Sequence, residues 1–111
     1  MSIHFVHHLN YNKKIKDFKV STYKNVNGKY EVHICVDKPA GGCHSWNYER
    51  TCKEYPIEME TFAKHGFTNK SRDLFLLEYG FSHTYTTKKE AQRVHDLYQL
   101  ILDGIKLNLL K

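Results

Sequence analysis

The sequence predicts an α+β fold in which an antiparallel sheet of three to five strands packs against a C-terminal amphipathic helix and one short central helix. Two patterns carry this expectation. Asp17 to Asp37 alternates apolar and polar residues around a glycine-containing turn, the period of a strand with one buried face. Ala91, Val94, Tyr98, Ile101 and Ile105 then recur at steps of three and four, the period of a helix lying across a sheet. The scale fits one core: 111 residues, 41% hydrophobic and 14% aromatic, are enough for a single domain over 1–111 and too few for two.

Taken in order, Ile3 to Leu9 is a strand candidate bearing His4, His7 and His8. The hairpin follows, and its register can be argued because directly opposed residues share a face. A two-residue Asn27-Gly28 turn would set Val20 opposite Cys35 and split the apolar set between faces. A three-residue loop, Val26-Asn27-Gly28 with Gly28 left-handed, instead opposes Thr22 to Val32, Val20 to Ile34 and Phe18 to Val36. One face becomes core, and the other presents Lys19, Ser21, Tyr23, Glu31, His33 and Cys35 as a contact surface.

After Pro39-Ala40-Gly41-Gly42, the alternation of His44, Trp46, Tyr48 and Arg50 predicts a third strand, antiparallel to the second. Pro56 to His65 reads as a helix. Pro56 starts it, Glu58 and Glu60 sit in its first turn, Lys64 and His65 in its last, Gly66 stops it, and Met59, Phe62 and Ala63 face the core. Arg72 to Tyr85 reads as a long strand that Gly80 bulges or turns. Thr87-Lys88-Lys89-Glu90 is a capping box that opens the last helix, whose stripe Leu97 and Leu102 widen. Asp103-Gly104 either stops this helix, leaving Ile105, Leu107 and Leu109 as a last strand, or is passed through.

The start of the chain lacks a basic region followed by a hydrophobic one, and no run approaches the roughly 20 apolar residues of a membrane helix. Three unevenly spaced cysteines do not form a disulfide framework. The expectation is a cytoplasmic protein with no membrane contact. The net charge of +5 is concentrated in residues 1–38, where Lys13, Lys14, Lys16, Lys19, Lys24, Lys29 and Lys38 face only Asp17, Glu31 and Asp37. A field polarised in this way favours an anionic partner.

Three chemistries compete for the polar residues. Zinc would take Cys35, Cys43, His44 and Cys52, with His33 nearby, if the second and third strands pair; yet the chain has no Cys-x-x-Cys knuckle, and small buried thiols are the simpler reading. Acid–base catalysis would use His83, Tyr85 and Arg93, with His83 and Tyr85 on one face of a strand end. Binding would use Lys13, Lys14, Lys16, Lys19, Tyr23, Lys24, Lys29, Lys88 and Lys89, lysines for phosphates and interleaved tyrosines for base stacking. Ala40-Gly41-Gly42-Cys43 is no phosphate loop, no Ser or Cys nucleophile motif occurs, and no cofactor is implied.

Three resemblances accompany these readings. The size, charge and sheet-plus-helix outline around His83, Tyr85 and Arg93 look like those of ribosome-dependent endoribonuclease toxins, which implies a small metal-independent ribonuclease. Phe81 to Ala91 resembles the strand-to-helix joint of the arm-type DNA-binding domains of tyrosine recombinases, in which a three-stranded sheet packs on a C-terminal helix. The short, motif-poor chain rich in Lys, Asn, Tyr and Ile resembles phage and mobile-element accessory proteins, anti-CRISPR proteins among them. That likeness implies a non-catalytic inhibitor whose basic face meets a nucleic acid or a nucleic-acid-handling protein such as a CRISPR effector. The apolar tail, Leu107, Leu109 and Leu110, adds a homodimer surface as a further expectation.

Overall fold

A computed structural model describes residues 14–37, 47–69, 75–80 and 84–110. Among them, four strands form an antiparallel sheet: β1 (Phe18–Lys24), β2 (Tyr30–Val36), β3 (Phe67–Asn69) and β4 (Leu77–Tyr79), in the order β1-β2-β4-β3. Helices α1 (Tyr48–Glu54), α2 (Pro56–Lys64) and α3 (Lys88–Leu110) complete the α+β fold that the sequence predicts. Among the described residues, no helix is long and apolar enough to cross a membrane.

The β1–β2 hairpin adopts the three-residue-loop register, with Phe18 opposite Val36, Val20 opposite Ile34 and Thr22 opposite Val32. Gly28 lies at φ +79, a conformation that disfavours any residue with a Cβ. Asn25 organises the same loop, its side-chain oxygen accepting from the amides of Asn27 and Lys29. Phe18, Val20, Val32, Ile34 and Val36 therefore point to one side and are buried there with Phe62, Tyr98, Leu102 and Ile105 from the helices.

Residues 48–54 depart from the expected third strand. Tyr48 and Arg50 lie in α1, and β1 and β4 occupy the two edges of β2; His44 and Trp46 lie outside the described residues. The alternation of Tyr48 and Arg50 competes with a stronger helical code. Asn47 caps the helix, accepting from the Arg50 amide at 2.8 Å, and Glu49–Lys53 and Arg50–Glu54 form i,i+4 ion pairs.

Helix α2 starts at Pro56 as predicted and ends before Gly66, whose φ of +90 reverses the chain. A Cβ on Gly66 would also come within 3.3 Å of the Tyr79 ring, which would have to give by a few tenths of an ångström. The buried face of α2 is rotated from the expected one: Met59 and Phe62 are inside, but Ala63 is exposed and Glu58 takes the inner position. Tyr55, Glu58, Met59 and Phe62 are spaced as one helical stripe, which includes 58 and leaves 63 out.

Glu58 is only 1% exposed and its Oε1 has no hydrogen-bond partner. Burial pushes its carboxyl above the ordinary carboxylate range, with its own backbone amide and Lys14 partly opposing. The folded state therefore takes up this proton more readily than the unfolded chain. The ionised group costs stability at neutral pH, and the cost vanishes below the unfolded value of about 4.3. Glu58→Gln is expected to stabilise the protein by about 1 kcal/mol at pH 7 and to leave it unchanged at about pH 3, as read from urea unfolding at the two pH values.

Strand β3 is too short to show alternation in the sequence. The long strand expected over Arg72–Tyr85 is reduced to Leu77–Tyr79 and an isolated bridge between Tyr85 and Tyr30; 70–74 and 81–83 lie outside the described residues. Leu77 pairs with Ile34 and Tyr85 with Tyr30, so eight positions on one side match four on the other. The two pairings are out of step by four residues, which a continuous ladder cannot accommodate. Gly80 follows the break.

Helix α3 begins as the capping box predicts, with the Thr87 Oγ1 accepting from the Glu90 amide at 3.2 Å. Ala91, Tyr98, Leu102 and Ile105 are buried, Val94 and Ile101 half-buried, and Leu97 exposed. The Tyr98 hydroxyl accepts from the Tyr79 amide at 2.7 Å, and burial pushes that hydroxyl up to about 12. Gly104 does not stop the helix. A mid-helix glycine costs only about 1 kcal/mol, and burial of Ile105 with packing of Leu109 against the core outweighs it. The tail is helix rather than strand, and its Leu107 is 67% exposed.

Candidate functional site

The end of the hairpin and the start of α3 form a groove of about 330 Å³, lined by Thr22, Tyr23, Lys24, Tyr30, Lys88, Gln92 and His95. Its construction follows from the elements. Lys24 and Tyr30 are opposed across the hairpin, and Lys88, Gln92 and His95 share one helix face at spacings of four and three. A hydrogen bond between Thr22 Oγ1 and His95 Nδ1 at 2.8 Å ties helix to strand at the groove floor. Lys24 Nζ lies over the Tyr30 ring, 5.8 Å from its centroid, and the positive end of the α3 dipole adds to the two lysines.

Of the nine residues expected to bind, the groove brings together Tyr23, Lys24 and Lys88. Lys89 is exposed on the same helical turn as Lys88, and Lys29 is exposed in the hairpin loop. Lys16 is exposed on the 3-10 turn Lys14–Asp17. Two of the lysines are engaged away from the groove. Lys14 donates to the Glu54 carbonyl at 3.1 Å and lies over the Tyr55 ring, and Lys19 pairs with Asp37 at 2.7 Å. Lys13 lies outside the described residues. The sequence reading missed Thr22, Gln92 and His95. The only signal for Gln92 and His95 was their spacing from Lys88, and nothing local reports that this face meets Thr22.

The outer face of the hairpin is less open than expected. Tyr23 is exposed, but Glu31 and Cys35 are half-buried and His33 is 1% exposed. Ile34 pairs with Leu77, which places His33 beside Glu78 on the face turned away from the helices, with Glu31 two residues along the same strand. His33 Nε2 is 3.1 Å from Glu31 Oε1, and Nδ1 is 3.2 Å from Glu78 Oε1. Glu31 also accepts from the Tyr23 hydroxyl at 3.1 Å and from Asn25 Nδ2 at 2.9 Å, and the Tyr23 ring stacks on His33 with centroids 5.3 Å apart. The ligand atoms of Glu31, His33 and Glu78 all lie within 4.8 Å of one another.

The other two candidate sets fall partly outside the described residues. The zinc reading required β2 to pair with a strand running through Tyr48 and Arg50, and that segment is α1. Cys35 and Cys52 are half-buried free thiols on β2 and α1, burial pushing the Cys35 thiol up; Cys43 and His44 lie outside the described residues. In the acid–base set, Tyr85 is buried, its hydroxyl raised by burial and its backbone paired with Tyr30. Arg93 is exposed on α3, and His83 lies outside the described residues.

No protein-family model, curated protein or solved structure matches the chain.

Proposed function

We propose that the protein is a non-catalytic binding protein that engages a nucleic acid, free or within a nucleoprotein complex, through the basic groove between the hairpin end and α3. The observation that carries this reading is the convergence of Lys24 and Lys88 on a cavity walled by Tyr30. Lysines supply phosphate contacts, the Tyr30 ring supplies a stacking surface that accepts any base, and about 330 Å³ matches the space of a small-ligand pocket. A phage-encoded inhibitor of a host nuclease, such as a CRISPR effector, would use such a surface on guide or target nucleic acid.

The test is a salt titration of binding to fluorescent single-stranded and duplex oligonucleotides. Two lysine–phosphate contacts on a single strand require log K to fall with log salt at a slope of about −1.4, and further contacts steepen it. Absence of binding at low salt, or binding indifferent to salt, removes the reading.

A further inference from the structure

We propose that His33 and Glu78 coordinate a divalent transition-metal ion of the zinc or cobalt type, with Glu31 as the positioning residue behind the imidazole. Glu31 Oε1 is a carboxylate oxygen that only accepts, so the Nε2 nitrogen 3.1 Å away carries its proton toward Glu31. In neutral His33 the Nδ1 nitrogen is then a bare lone pair. It is buried, makes no hydrogen bond, and faces Glu78 Oε1 at 3.2 Å. That separation is within ion-pair range, but the alignment is too poor for a hydrogen bond.

The unsatisfied Nδ1 lone pair and the Glu78 oxygen are placed to share a cation. A metal ion bonded to nitrogen and oxygen at about 2.1 Å spaces adjacent ligand atoms about 3.0–3.4 Å apart for octahedral to tetrahedral angles, which brackets the separation here. Imidazole and carboxylate suit first-row divalent ions. A carboxylate hydrogen-bonded to the far ring nitrogen is the usual support of a metal-bound histidine, fixing the tautomer and raising its basicity. The stacked Tyr23 ring holds the imidazole plane, and its hydroxyl fixes Glu31 in turn. This site lies on the outer sheet face and does not depend on the groove binding nucleic acid.

The full chain, stripped with chelator, is titrated with Zn²⁺ by calorimetry and with Co²⁺ by visible absorption. One equivalent is expected, with nitrogen–oxygen ligand-field bands and no thiolate charge transfer. Glu78→Gln should weaken binding at least tenfold, and Glu31→Gln about 10- to 100-fold. A variant with Cys35, Cys43 and Cys52 all replaced by serine should bind as the parent does. If Glu78→Gln does not fold, imidazole nitrogen NMR of the parent decides, because Zn²⁺ must shift Nδ1 of His33. No binding by the parent, an unshifted His33, thiolate bands, loss of binding in the serine variant, or unchanged binding in Glu78→Gln would each overturn the proposal.

Discussion

Replacing Phe18 by alanine is expected to destabilise the protein by about 3–5 kcal/mol, a large part of the roughly 5–15 kcal/mol that holds a domain of this size together. Phe18 is fully buried at the start of β1, where the 3-10 turn, the sheet and α2 converge. Its ring lies 4.9 Å from that of Phe62, 5.0 Å from Tyr55 and 5.9 Å from Phe75, the Tyr55 and Phe75 contacts being edge-on. Truncation removes the hydrophobic transfer energy and leaves a cavity bounded by rigid rings, which cannot collapse to fill it. The loss reaches further than the hole, because the Tyr55 hydroxyl donates to Asp17 at 2.8 Å and so ties the α1–α2 junction to the residue preceding Phe18. Urea unfolding followed by circular dichroism measures the change. Phe18→Leu, which keeps most of the volume, should cost less than half as much.

The second large effect concerns the groove. Lys24→Glu with Lys88→Glu should weaken oligonucleotide binding by about two orders of magnitude at low salt, since two attractive phosphate contacts become two repulsive ones. The salt dependence should flatten by about 1.4 in slope. Both side chains are exposed, so the fold should be retained. The control is Lys53→Glu with Lys64→Glu, which makes the same change in net charge on exposed positions of α1 and α2. Equal losses in the two double variants would assign binding to total charge and remove the groove from the reading.

How much of this was legible beforehand differs by element. The hairpin register was readable because Phe18, Val20, Ile34 and Val36 share one face only with a three-residue loop, and Gly28 can adopt the backbone which that loop needs. The start of α3 was readable because its cap is local chemistry between Thr87 and Glu90. Alternation misled at Tyr48 and Arg50, where a capping Asn47 and i,i+4 ion pairs outweigh a two-residue period that only three or four side chains supported. It misled again between Leu77 and Tyr85, because a strand pattern cannot show that two pairings with β2 are out of step. At Gly104 the local stop signal was real, but packing beyond it was stronger.

By itself, then, the sequence determined the fold class, the hairpin and its buried face, the ends of α2, the start of α3, and the basic character of residues 1–38, since each rests on residues close to one another in the chain. The tertiary structure alone decided what meets what. It set Lys24 and Tyr30 beside Lys88 and His95, and it set Glu78 beside His33 through a single strand pairing. Both sites join residues more than forty positions apart, and the energy that unites them comes from burying one sheet face under α2 and α3, to which no local pattern in either partner refers.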